Sequence, residues 1–245
     1  MRNGAEYAKR VTRLFRKLRR GEKVVDFGQP TDPTEQLIAS ILSVNTTPEQ
    51  GRKALRRLRD RMVDFNEIRV SSPAEITGAV KDLIPSSTER AKKLVNTLNA
   101  LFHTEHQVDL NCLRSMGIRD AKRYLEDLGD IEPYVVASVI LWSLGGHAIP
   151  VSNPLLKSLR DNDLVAPDCD VAVVQSFLER HVAATDAKQF CHVMEKFAGS
   201  HRGAGSTTSA TRSPGRGKKT RKKEPAKKRP AKSSAARRKK ASRRG

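Results

Sequence analysis

Residues 124–159 read YLEDLGDIEPYVVASVILWSLGGHAIPVSNPLLKSL, and the punctuation of this stretch decides how the chain folds. A periodic apolar segment runs up to Leu128, the residues Gly129, Asp130, Ile131 and Glu132 make a turn, and Pro133 opens a second, almost wholly apolar segment. Proline is accepted at the first position of a helix because its missing N–H would have no intrahelical partner there. Gly145 and Gly146 then stop that helix. Ser152, Asn153 and Pro154 start the next one, since a serine oxygen can accept the orphan amides of a first turn. The stretch therefore predicts helix, four-residue hairpin, helix, glycine turn, helix. Two helices joined by so short a turn aim the amide end of the second outward, where an anion can be held.

The same grammar recurs upstream. TDPTE at 31–35, TTPEQ at 46–50, SSPAE at 71–75 and SSTE at 86–89 each place a hydroxyl or carboxylate before proline, or three residues before Glu or Gln. These are helix-start signals, and behind each comes apolar spacing of 3.6, such as Leu37, Ile38, Ile41 and Leu42. Further helices are predicted at 118–128, 133–144, 154–159, 171–181 and 187–197. RVTRLFRKLRR near the N-terminus has the same period through Val11, Leu14, Phe15 and Leu18, its Arg and Lys forming a solvated face. Only KVVDF at 23–27 looks β-like, too little for a sheet. The expected fold class is all-α, with about eight to ten helices.

Charge is distributed unevenly. From Arg202 onward the chain holds 18 of its 47 Lys and Arg but one of its 27 acids, Glu224, so 17 of the net +20 charges sit there. Two regions follow: a helical body at 1–201 and a Lys/Arg-rich tail at 202–245, which has too little apolar surface to offset its ordering entropy and is expected to be disordered. Such a tail fits a polyanion, and Lys218, Lys219, Arg221, Lys222, Lys223, Lys227, Lys228, Arg229, Arg237, Arg238, Lys239 and Lys240 are its candidate phosphate contacts. Charge alone leaves RNA open beside DNA. A membrane fits poorly, because the tail has no Leu, Ile, Val or aromatic residue to enter an acyl layer. The longest uncharged run, 133–156, has an unbroken helical part of about a dozen residues, against the roughly 20 that cross a bilayer. No apolar run follows the opening MRNGAEYAKR, so no secretory signal is expected. Three scattered cysteines, Cys112, Cys169 and Cys191, suit a reducing intracellular compartment, cytoplasm with nucleoid or a nucleus. They make neither a zinc site nor an iron–sulfur cluster.

The order of these features, together with DPTEQLIASILSVNTT at 32–47, resembles the helix-hairpin-helix DNA glycosylase superfamily, the endonuclease III type in particular, over residues 33–197. The resemblance implies a two-lobed helical fold, a duplex DNA partner and a monomer. Laid on the family pattern, Leu128 matches the hairpin leucine, Gly129, Asp130 and Ile131 fall in the phosphate-holding hairpin, and Tyr134 falls where bifunctional members carry lysine. Val151-Ser152-Asn153-Pro154 covers the motif of the family's aspartate. Ser43-Val44-Asn45-Thr46-Thr47 falls on the segment whose polar residue fills the space left by an extruded base, which puts Asn45 and Thr46 on DNA. Residues 84–94 cover a further DNA-facing loop.

The departures fall on the chemistry. A Schiff base needs an amine, which Tyr134 lacks, and stabilising a cationic sugar or activating water needs an anion, which Ser152 lacks. Ser152 is expected to cap a helix, with Asp130, Glu132, His147 or Asp161 as other sources of charge. Asp130 and Glu132 would repel a phosphate unless a cation, such as a monovalent ion at the hairpin, or a side-chain rotation removes their charge. Trp142 is expected in the core. Three readings result: a DNA-binding glycosylase relative with lost or altered catalysis, an active monofunctional glycosylase for a labile damaged base, or an architectural protein that binds through its tail.

Overall fold

The computed structural model describes residues 3–23 and 25–201; the tail, and with it every candidate contact from Lys218 to Lys240, lies outside the described residues. Eleven α-helices follow one another: α1 (Gly4–Arg20), α2 (Pro33–Ser43), α3 (Pro48–Arg59), α4 (Phe65–Val70), α5 (Pro73–Val80), α6 (Ser87–Glu105), α7 (Ile118–Asp127), α8 (Pro133–Trp142), α9 (Asn153–Asp161), α10 (Val171–His181) and α11 (Ala187–His201). No strand occurs among the described residues. The count exceeds the expected eight to ten because α4, at six residues, is too short to show a period. Its start was nonetheless written, for Asp64 accepts from the amide of Glu67.

The start signals work as local chemistry. Asp32 accepts from the amides of Thr34 and Glu35, Thr47 from that of Gln50, and Ser72 shares a reciprocal capping box with Glu75. Each such cap is worth about 1 kcal/mol. SSTE is the exception: Ser86 is left-handed at φ 55°, and its side chain makes no capping bond, although α6 does begin at Ser87.

Packing then orders the helices by how apolar they are. α8 has no polar face, and Tyr134 through Leu141 are all buried, which is what a helix apolar all round demands. It lies against α2, α7, α10 and α11. α2 is likewise buried along most of its length, Leu37, Ile38 and Leu42 being inaccessible to solvent, and it packs on α3, α6 and α8. Sequestering each such side chain stabilises by roughly 1.5–3 kcal/mol before ordering entropy is subtracted. One group of helices, α2 to α7, is thus joined through α8 to a second group in which α1 packs on α10 and α11, and α11 on α9. Phe15 and Phe190 lock α1 to α11 edge to face, with centroids 5.2 Å apart. Trp142 sits half-buried against Phe27 at 5.5 Å. None of the described helices is long and apolar enough to cross a membrane.

Candidate functional site

The hairpin between α7 and α8 forms as its sequence dictates. Gly129 adopts φ +119°, a backbone state that side chains with a Cβ rarely reach, and the amide of Ile131 donates to the Gly129 carbonyl at 2.7 Å. Ile131 is half-buried against the core rather than displayed. Asp130 and Glu132 do not stand as uncompensated charges. From α6, Lys93 Nζ reaches Asp130 Oδ2 at 2.8 Å, the Asp130 carbonyl at 3.3 Å and Glu132 Oε1 at 3.2 Å. Arg90, itself buried, donates to Glu132 Oε1 at 2.6 Å. The cations that the sequence called for beside these acids are thus side chains of the neighbouring helix, with Arg90 shared between Glu132 and Glu89. The hydrogen bond and charge of Lys93 hold the Asp130 carboxyl below its ordinary range. The exposed turn at Pro85 and Ser86 leads directly into α6, so the second DNA-facing segment of the resemblance lies on the helix that braces the hairpin.

A second cluster gathers four elements. Ser43 at the end of α2 and Tyr134 in the first turn of α8 share a hydrogen bond at 2.9 Å, and both are buried. Ser152 caps α9, accepting from the Leu155 amide at 3.2 Å, and its hydroxyl donates to Glu195 Oε1 of α11 at 2.9 Å. The α2–α3 turn is stitched to the α9 start twice: the Asn153 amide donates to the Val44 carbonyl at 3.1 Å, and Asn153 Nδ2 donates to Asn45 Oδ1 at 2.6 Å. Burial pushes the Tyr134 hydroxyl above its ordinary range, and the charge of Glu195 adds to that. Burial also lifts the Cys191 thiol, again with Glu195 contributing. The imidazole of His192 is shifted down by burial and by the nearby cations Lys196 and Arg52.

The structure sets Tyr134 against Ser43, two residues before Asn45, and Asn45 against Asn153, the residue after Ser152, and places Gly129, Asp130 and Ile131 on a separate hairpin braced by α6. Thr46, at 4% exposure, is buried in the turn. His147 is held in its turn by a 2.8 Å contact from Nε2 to the Glu179 carbonyl, and Asp161 pairs with Lys157 within α9. Neither reaches the cluster. Three residues were missed in the sequence: Arg90, Lys93 and Glu195. A signal existed for two of them. Arg90 lies four residues before the buried Leu94, and Glu195 lies four after the buried Cys191 and three before the buried Ala198, so each interrupts an apolar stripe. Charged residues at such positions are retained when they are paired.

Comparison of the sequence with protein-family models and with curated proteins finds no match. Comparison of the fold does. An 8-oxoguanine glycosylase/lyase of Clostridium acetobutylicum, solved with duplex DNA containing cytosine opposite 8-oxoguanine, superposes with a TM-score of 0.60 at 17% identity, covering 82% of this chain and 71% of that one. A trapped endonuclease III–DNA covalent intermediate gives 0.56 at 16% identity, over 80% and 86% of the two chains. A thermostable thymine-DNA glycosylase gives 0.55 at 17% identity, over 79% and 87%. With its hairpin between α7 and α8 and its all-α architecture, the described body has the helix-hairpin-helix DNA glycosylase fold.

Proposed function

We propose that the protein binds duplex DNA, with a preference for damaged or distorted sites, through the hairpin, the Asn45 turn and the cationic tail, and that its chemistry differs from the lysine-dependent type. The observation that carries this reading is a pair of hydrogen bonds between segments distant in sequence: Ser43 with Tyr134, and Asn153, next to Ser152, with Asn45. Similarity to glycosylases solved on DNA supports the same partner. Binding by such a body combines phosphate contacts, which position, with an extruded nucleotide, which is what reactions on a base require. At the hairpin, Lys93 and Arg90 offset charge on the acids beside the bound phosphate.

Position 134 cannot form a Schiff base, because its side chain is a buried phenol bonded to Ser43 and carries no amine. An iron–sulfur cluster does not fit either. The three cysteines stand in separate parts of the chain, with Cys191 buried in α11, and a cluster needs four soft ligands converging on one point.

The test is binding of the full chain to a duplex with one tetrahydrofuran abasic site, compared with the intact duplex, and borohydride treatment of a natural abasic duplex. Tighter binding to the abasic analogue with no covalent product is expected. Equal affinity for both duplexes, or a trapped adduct mapping to α8, would overturn the reading.

A further inference from the structure

We propose that Glu195 is the catalytic carboxylate of this protein, reaching from α11 to stabilise positive charge on a deoxyribose beside the start of α9. The inference deepens the reading of DNA binding given above and rests on it. Ser152 has one hydroxyl proton, and that proton points to Glu195 Oε1 at 2.9 Å, while the serine oxygen is occupied by the Leu155 amide at 3.2 Å. The anion that position 152 lacks is thereby delivered within a single hydrogen bond of it.

The surroundings suit this work. Ser152 is wholly buried, so water does not compete for its bond to the carboxylate. Glu195 itself is half-buried. Asn153, the residue after the serine that holds the carboxylate, is exposed and bonded to Asn45 at 2.6 Å, so the start of α9 adjoins the turn that would face an extruded nucleotide. Electrostatic reach to both Tyr134 and Cys191 puts it at the junction of α8, α9 and α11. An anion fixed in a site of low dielectric interacts far more strongly with a developing cation than one in water.

The reaction it serves is hydrolysis of a base–sugar bond. The C1′–N bond breaks and its electron pair leaves on the base. The sugar becomes an oxocarbenium ion facing the Glu195 carboxylate, and the oxygen of a water adds to C1′. One water proton ends on the departed base and the other remains on the new hydroxyl, so base–sugar plus water gives free base and an abasic sugar, with Glu195 regenerated as a carboxylate. The strand is left uncut by this step, since position 134 carries no amine to open the sugar.

The test does not require the lesion to be known. Affinities of the full chain are measured for two duplexes, identical except that one carries an uncharged tetrahydrofuran abasic site and the other a protonated pyrrolidine that mimics the cationic sugar. Transition-state mimics bind more tightly than neutral counterparts where the stabilising charge exists. At least about a tenfold preference for the cationic duplex is expected in the wild type, and Glu195→Gln, which can still accept from Ser152, brings the ratio to about one. A structural acceptor alone would leave the ratio at one in both proteins. A ratio near one in the wild type, or a preference that survives Glu195→Gln, overturns the role of Glu195 while leaving DNA binding intact. Failure to bind either abasic duplex better than undamaged duplex overturns the DNA reading itself. A wild-type ratio near one overturns the proposal even where that variant does not fold, and Glu195→Asp, which keeps the charge, is expected to retain the preference.

Discussion

At position 152, one hydroxyl serves two helices at once: it starts α9 by accepting from Leu155 and anchors α11 by donating to Glu195. The first role was legible in the sequence, because a serine before Asn-Pro has the chemistry of a cap whatever surrounds it. The second was not, since nothing in the spacing of residues 152 and 195 says that their side chains meet. Lys93 is comparable. Its pairing with Asp130 holds that exposed carboxyl low, so the pair contributes stability above the unfolded carboxyl value, and the contribution is lost as pH falls through the depressed folded value. Lys93→Gln is expected to return the Asp130 carboxyl upward to the ordinary range and to weaken DNA binding by leaving the hairpin acids under-neutralised. An NMR titration of the Asp130 carboxyl checks the first point, and an unchanged titration would show that Lys93 is not its partner in solution.

Between elements, the tightest constraint lies where α2 meets α3. A Cβ added at Gly51 would sit 2.3 Å from the Ala39 carbonyl and 2.6 Å from Ser43 Cβ, distances that backbone cannot concede without moving a helix. Gly51→Ala is expected to destabilise the protein by about 1–3 kcal/mol, the usual cost of overpacking. It also pushes Ser43 away from Tyr134. Thermal or denaturant unfolding measures the first effect, and an unshifted transition would mean that the two helices are less closely apposed than described. The glycine looks incidental in PEQGRKALRRLR, whose apolar stripe alone predicts an ordinary surface helix; the reason for it is the neighbouring helix, 8 to 12 residues earlier in the chain. α8 is the opposite case: its run of apolar residues announced burial from every side before any neighbour was known.

For the whole molecule, the division of charge sets how binding should respond to salt. With 17 of the net +20 charges carried from residue 202 onward, the cationic contacts are expected mostly from the tail, and each phosphate neutralised steepens the dependence of affinity on salt. Removing residues 202–245 is expected to lower affinity for all duplexes alike and to flatten the salt slope, while the ratio of abasic to intact affinity stays with the body. Titrations across about 50–200 mM salt measure both quantities. Loss of the ratio together with the tail would place recognition there and favour the architectural reading.

The sequence by itself determined the all-α class, where most helices begin, the hairpin at 129–132, the buried character of α8 and the capping role of Ser152. All of these follow from local chemistry: a cap needs only the next three residues, and a periodic stripe needs only its own helix. The tertiary structure alone decided the partners of charge. That Arg90 and Lys93 neutralise the hairpin acids, that Thr46 is buried while Asn45 reaches Asn153, and that a glutamate from the last helix meets the start of α9 all depend on contacts between residues some 40 to 110 positions apart. Such contacts are set by how the helices dock, and docking is governed by the shapes of buried faces rather than by the spacing of any one motif.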